Sequence, residues 1–334
     1  MTRFLLFLIV AAAGAGWFGW SDYQRYLNQP INLAGDGQRV TIERGWSAKR
    51  VADELEREGI IDKRYWFDVY ARLSQKASGI KSGEFNLQSP MTVPELFDAL
   101  VKGQTIQYSL SIIEGSNWKQ AIARVAASDD LTHTLDEETL KSAEALMSAL
   151  GFEGIYPEGQ FFSDTYAFPK GTTDVEYLRR SKNMLDKVLK EEWEGREEGL
   201  PLESPYEALI LASIVEKETA VAAERPLIAG VFLSRINKRM RLQTDPTVIY
   251  GMGDSYDGNI RRSDLTTDTP YNTYTRAGLP PTPISMVGRE AINAVMHPEE
   301  TKALYFVAKG DGTHQFSETL EQHNAAVRKY QLKR

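Results

Sequence analysis

The sequence predicts an α+β protein: an N-terminal transmembrane helix, a small α+β subdomain and a larger mixed α/β domain. Three observations carry this. Phe4–Trp20 contains no charged residue. Residues 38–106 alternate strand-like and helix-like spacing, with capping residues and glycines at the joints. Beyond them, apolar helical runs are separated by loops rich in Gln, Asn, Thr and Tyr. The expected layout is 1–21 tip and anchor, 22–37 tether, 38–106 subdomain and 107–334 main domain.

As a helix, Phe4–Trp20 would be about 26 Å long, at the short end for a bilayer span. Trp17 and Trp20 suit the headgroup level, and Tyr23 and Tyr26 read as interfacial. Ala11-Ala12-Ala13 and Ala13-Gly14-Ala15 resemble signal-peptide cleavage sites, but apolar residues continue past them, which favours an uncleaved anchor. Arg25 and Arg39 signal orientation only weakly. The polar Ser21–Gly37 segment, with Asn28-Gln29-Pro30, reads as a tether.

Arg39–Ile42 is strand-like. Ser47 caps a helix with Ala48, Val51, Ala52 and Leu55 on one face, stopped by Gly59. Asp62 is the expected cap of a second helix, with Trp66, Val69, Tyr70 and Leu73 inward. Gly83–Leu87 reads as a strand. Thr92-Val93-Pro94-Glu95 is a capping box opening a helix that ends at Gly103. Tyr108, Leu110 and Ile112 alternate as a strand. Ala121–Leu150 reads as helical and acidic, Pro157–Thr173 as an aromatic loop or strand, and Val175–Glu198 as an amphipathic helix. Two helices follow, one from Ser204-Pro205-Tyr206-Glu207 through Glu218, the other near Pro226–Met240. Leu242–Gly251, Tyr271–Thr275 and Gly278–Ile284 read as irregular, and Leu304–Ala308 as a strand.

The chain has 334 residues, 42% hydrophobic and 25% charged, with a net charge of −7. These are ordinary globular values, and the acidic balance argues against nucleic-acid binding through a basic face. There is no cysteine, which excludes disulfides, zinc–thiolate sites and cysteine nucleophiles. His133, His297, His314 and His323 form no metal-ligand spacing, so no metal and no cofactor are expected; His314 and His323 read as loop-orienting or capping residues. No nucleophile elbow, P-loop or dinucleotide glycine motif occurs.

The chemistry concentrates at Leu211–Ala220, LASIVEKETA, where an almost wholly apolar helix ends in Glu218. A carboxyl there is costly to ionise, so its pKa rises, as a glycosidic-bond acid near neutral pH requires. Glu218 follows Leu211, Ile214 and Val215 on one stripe, whereas Glu216 follows Ala212 and Ser213 and reads as a packing or orienting neighbour. Gln243, Asp245, Tyr250, Tyr271, Asn272 and Tyr274 mix amides with aromatic rings in a manner suited to a sugar, although the same segments carry ordinary turn chemistry. Glycosidases normally pair two carboxylates. Asp245, Asp164 and Glu158 are possible second members, Glu158 the weakest because it precedes Gly159 in a turn. One strong acid without a clear partner favours a nucleophile supplied by the substrate itself.

LASIVEKETA, followed by LQTDPTVIYG, YNTYT and GLPP, resembles the YceG-like family. EGQFFSDTY and YFVAKGDGTHQFSETLEQHN resemble its upstream and C-terminal blocks, and the likeness spans roughly residues 37–330. Ser163 stands where the family often has proline. The resemblance implies a single inner-membrane helix, a periplasmic body and a LysM-like subdomain within 38–106. It implies a lytic transglycosylase that cleaves the β-1,4 bond between N-acetylmuramic acid and N-acetylglucosamine in peptidoglycan glycan strands. The product would end in 1,6-anhydro-N-acetylmuramic acid, terminating strands near the peptidoglycan synthases (penicillin-binding proteins). The family's catalytic Glu and its small hydroxyl neighbour match Glu218-Thr219. Two rival readings are a hydrolytic muramidase using Glu218 with Asp245 or Glu158, and a non-catalytic glycan-binding scaffold.

Overall fold

The computed structural model describes residues 2–31, 33 and 37–332. The chain divides into two compact units: Met1–Ser109 with Asp130–Thr132 and Ala167–Thr172, and the remainder.

In the first unit, α1 (Thr2–Asn28) is long and apolar enough to cross a membrane by length and composition. It runs past Trp20, because Tyr23 and Tyr26 are buried. Tyr26 joins the unit's core, and Asp22 holds Lys63 Nζ at 2.8 Å and accepts from Trp66 Nε1 at 2.9 Å. The expected tether therefore begins as packed helix, and residues 32 and 34–36 lie outside the described residues. β1 (Gln38–Ile42) follows, then α2 (Ala48–Arg57), α3 (Arg64–Leu73), β2 (Gly83–Leu87) and α4 (Val93–Lys102). β1 and β2 pair antiparallel with Val40 opposite Phe85. Val51, Leu55, Leu96, Phe97 and Leu100 fill the space beneath them. Thr92 and Glu95 make the expected capping box, and Gly103 closes α4 in the left-handed region that glycine tolerates best. Two expectations for α3 fail. Its cap is Lys63, not Asp62, and its fully buried residues are Phe67 and Ala71; of the expected stripe Trp66 and Tyr70 do pack against the core, half-buried, while Leu73 is exposed. The apolar residues of α3 are numerous enough to suit either stripe, and Phe97 packs against both Phe67 and Tyr70.

β3 (Gln107–Ser111) opens the passage into the second unit. The predicted helix over 121–150 is broken into α5 (Trp118–Ala126), α6 (Glu137–Lys141) and α7 (Ala143–Ala149). Asn117, Asp136 and Ser142 each cap a new start, since short polar side chains satisfy the free N–H groups of a helix beginning. β4 (Thr165–Pro169) pairs with β3, and α8 (Asp174–Glu194) follows.

The core of this unit is α9 (Pro205–Glu218), packed against α10 (Arg225–Asn237), α11 (Asp245–Met252) and α13 (Arg289–Met296), with α12 (Arg262–Thr266) at the surface. Ser204 caps α9 as expected, but Glu207 reaches back to Glu203 N at 2.7 Å, one residue further than a capping box requires. Leu211, Ala212, Ile214 and Val215 are fully buried, each larger side chain worth about 1.5–3 kcal/mol of apolar transfer. Within α9, Ser213 Oγ accepts from Ile284 N at 2.9 Å and its carbonyl accepts from Ser285 Oγ, which docks the Gly278–Ile284 loop. α11 corrects the irregular reading of Leu242–Gly251; Pro246 sits in its first turn, where a missing N–H costs nothing. The antiparallel pair β5 (Tyr305–Ala308) and β6 (His314–Ser317) leads into α14 (Leu320–Tyr330), capped by Thr319 and Gln322.

Replacing Ile214 with Ala should remove about 2–5 kcal/mol of stability through the cavity left in α9's packing. Denaturant unfolding should show the midpoint falling.

Candidate active site

Helix α9 delivers Glu218 as its last residue to a cavity of about 480 Å³. Part of Glu218 reaches this surface, yet protein surrounds the carboxyl closely enough that lost hydration dominates its chemistry. Its pKa is pushed up to about 7. Desolvation is the main cause; a hydrogen bond from Thr244 opposes it, Asp245 adds to it, and the charges of His314 and Arg235 oppose it.

Thr244 Oγ1 donates to Glu218 Oε1. Thr244 is itself fixed by buried hydroxyls. Its N–H donates to Thr273 Oγ1 at 3.1 Å, and its carbonyl accepts from Thr247 Oγ1 at 2.7 Å. Gln243 precedes it in the left-handed region, φ +52, held by a bond from its N–H to Thr273 O. A non-glycine residue in that conformation is uncommon and is kept there by its surroundings.

Arg235 supplies a buried cation at the cavity wall. It is fastened by donations to the carbonyls of Leu304 at 2.6 Å and Leu242 at 2.7 Å, with its guanidinium 5.0 Å from the Tyr305 ring centre. Asp245 accepts from the Tyr274 hydroxyl at 2.6 Å. His314 Nδ1 lies 2.7 Å from Glu224 Oε2, while its N–H donates to Glu224 Oε1. His323 stacks on Tyr305 with its Nδ1 buried and without a hydrogen-bond partner among the described residues; desolvation, then Arg235, lowers its pKa.

Of the residues expected in the cleft, Gln243, Asp245 and Tyr274 join Glu218. Glu158, Tyr250 and Tyr271 line a separate cavity of about 490 Å³. Asn272 lines neither of these cavities. Its amide nitrogen donates to the carbonyls of Asp264 and Thr267 and its Oδ1 accepts from Tyr274 N, so the side chain is spent on its own loop. Thr219 is buried beside Glu218 and accepts from Val221 N at 3.0 Å, shaping the turn after α9. Glu216 accepts from Arg225 Nη2 at 3.0 Å and Gly288 N at 3.1 Å and lines neither cavity; burial raises its pKa. Asp164 caps its neighbour Thr165 N at 2.7 Å and lines neither cavity.

Sequence reasoning missed Arg235 and Thr244 and gave His314 and His323 no place in the cleft. Arg235 lies in a helix whose inward residues are apolar apart from Arg225 at its start, and an arginine on the face of Ile228, Val231 and Phe232 was the available signal. Among the described residues, no group of three His, Asp or Glu side chains is arranged to hold a metal ion.

Fold and cleft together define a class: an α+β protein with a desolvated carboxyl at a helix end, fitted for general acid chemistry and faced by a buried cation, aromatic rings and an amide. The chain belongs to the YceG-like family, which matches residues 40–329. It is 31% identical over 305 residues to the endolytic murein transglycosylase of Bacillus subtilis, covering 87% of this chain and 84% of that protein. A protein of the same name from Streptococcus pneumoniae is 28% identical, with 97% of this chain and 64% of that protein covered. A crystal structure of a YceG-like protein from Listeria monocytogenes matches with a TM-score of 0.54 at 29% identity, covering 87% of this chain and 99% of that one.

The raised Glu218 pKa has a consequence for folding. An unfolded glutamate, with a pKa of about 4.3, loses its proton before the folded one does. Between that value and about 7 the folded state holds more protons, so stability falls as pH rises. Glu218→Gln should make that fall smaller without abolishing it, because Glu216 and Glu158 are shifted the same way. Unfolding free energies measured on both sides of this window check it.

Proposed function

We propose that the chain is an endolytic murein lytic transglycosylase, with Glu218 as its single acid–base catalyst. The observation that carries this is the desolvated Glu218 carboxyl, pKa about 7, on an open cavity furnished with amide and aromatic groups. The names of the B. subtilis and S. pneumoniae relatives support it.

Thr244 occupies Oε1, which leaves Oε2 to carry the proton. Protonated Glu218 donates to the oxygen of the muramyl β-1,4 bond, the C1–O bond breaks and positive charge develops at C1. The carboxylate then takes the proton of the C6 hydroxyl of the same sugar, which closes on C1 as a 1,6-anhydro ring. Because nucleophile and electrophile share one ring, the effective concentration is high and no enzymic nucleophile is needed. Gln243 and Tyr274 would orient the sugar. The wider reading is a strand terminator working near penicillin-binding proteins, anchored once in the inner membrane by α1 with its body in the periplasm. The strand–helix–helix–strand order of β1, α2, α3 and β2 supports a LysM-like first unit.

Asp245 shares the cavity with Glu218, which favours one alternative: a muramidase in which Asp245 activates water. Mass spectrometry of digested sacculi separates the two, since anhydro ends are one water lighter than hydrolysed ones. Glu218→Gln should cut turnover by at least about 10²-fold with the fold retained. Wild-type rates of anhydro release would refute the assignment.

The same acid sets the pH profile. Activity that needs protonated Glu218 should fall as pH rises through about 7. Thr244→Val removes a bond that favours the ionised form and should move that limb to higher pH. Asp245→Asn removes a nearby negative charge and should move it lower. Profiles of kcat/KM read both.

A further inference from the structure

The second cavity holds a buried carboxyl that the described residues satisfy only in part. Glu158 is 1% exposed. Its Oε1 accepts from Trp118 N at 3.1 Å, while its buried Oε2 has no partner of full hydrogen-bond geometry among the described residues, although the Tyr250 hydroxyl is near enough to act on the carboxyl. Leaving a buried carboxylate oxygen unpaired costs free energy, so such an atom in a cavity wall is built to meet a donor that arrives from outside. Gly159, at φ +72, leaves no room for a side chain: an added Cβ would stand 2.5 Å from Pro283, the neighbour of the lining residue Ile284.

Around that oxygen stand the rings of Trp118, Tyr156, Tyr250 and Tyr271, the last two edge-to-face at 4.7 Å. Ring faces set among polar groups, here Glu158 with Asn117, Gln120, Lys119, Lys217 and Asp254, match a pyranose, which has a C–H face to stack and hydroxyl or acetamido groups at its rim. The volume, about 490 Å³, is within the usual range of small-molecule sites. Its position is informative too. α11 is a wall of both cavities, with Asp245 on the Glu218 side and Pro246, Ile249 and Tyr250 on the other. The end of α9 contributes Glu218 to one and Lys217 to the other.

We propose that the Glu158 cavity is a second saccharide-binding site, which grips the polysaccharide strand away from the bond presented to Glu218. This rests on the proposed activity and adds a reason for attack within strands: a chain held at two places is cut between its ends. Glu158 here is an anchoring residue, not a catalytic one.

Binding of peptide-free glycan strands to the full chain carrying Glu218→Gln tests this without requiring turnover. Adding Glu158→Gln, which keeps the Trp118 contact but puts an amide where Oε2 was, should weaken binding about tenfold. Tyr156→Ala, at a side chain 43% exposed and so safe for folding, should do likewise. In the Glu218-intact chain, both changes should raise KM for long strands and leave kcat nearly unchanged. They should also spare the shortest oligosaccharide still cleaved. Unchanged binding in both variants would overturn the proposal, as would a defect seen only with peptide-bearing strands, which would assign the cavity to the stem peptide. Equal loss of kcat on every substrate would also overturn it, placing Glu158 in the chemistry. If no variant of the chain cleaves glycan, the binding measurement still decides this site.

Discussion

The second unit is organised around one costly arrangement: a carboxyl, poorly hydrated, at the end of an apolar helix. α9 is buried nearly all round, so its last residue has little water to turn to. The compensation is local and small, one hydroxyl from Thr244 and more distant positive charge from His314 and Arg235. A direct ion pair would oppose the effect, since a guanidinium in contact favours the ionised acid. Arg235 is instead tethered to the carbonyls of Leu304 and Leu242, and its charge reaches Glu218 without a bond. Glu216, two residues earlier, has such an ion pair, and burial still outweighs it, so its pKa is raised as well. It does contact Arg225, and it is committed to holding Gly288.

Much of this was legible from residues alone, and the failures share a cause. α9 and its Ser204 cap follow from the Ser-Pro start signal and from an apolar run too long for a strand. The β1–β2 pair and the Thr92 capping box follow from equally local signals. α11 was missed because Thr-Asp-Pro-Thr satisfies the chemistry of a turn as well as that of a helix start. The unbroken reading of 121–150 failed because Asp136 and Ser142 served as caps, which residue counts inside a helical window do not reveal.

The cleft was half legible for a different reason. Tyr250, Tyr271 and Glu158 are the right residue types, but which cavity each lines depends on the orientation of α11. That orientation comes from packing against α9, a contact between distant parts of the sequence. Asn272 illustrates the converse. An amide in an aromatic loop has the composition of a ligand-binding group, yet its hydrogen bonds are consumed by Asp264, Thr267 and Tyr274. Composition identifies candidates; only the count of satisfied donors and acceptors separates those free to act.

The continuation of α1 into the first unit matters for reach. Tyr26 sits in that unit's core and Asp22 clasps Lys63 and Trp66, a few residues beyond the uncharged stretch. A soft leash would let a domain sweep a wide hemisphere. A stiff stalk gripped this near its apolar length holds the first unit like a collar on a post. On the proposed anchoring, that collar stays in the layer next to the bilayer, and newly made wall material passes it before the older, more distant mesh could.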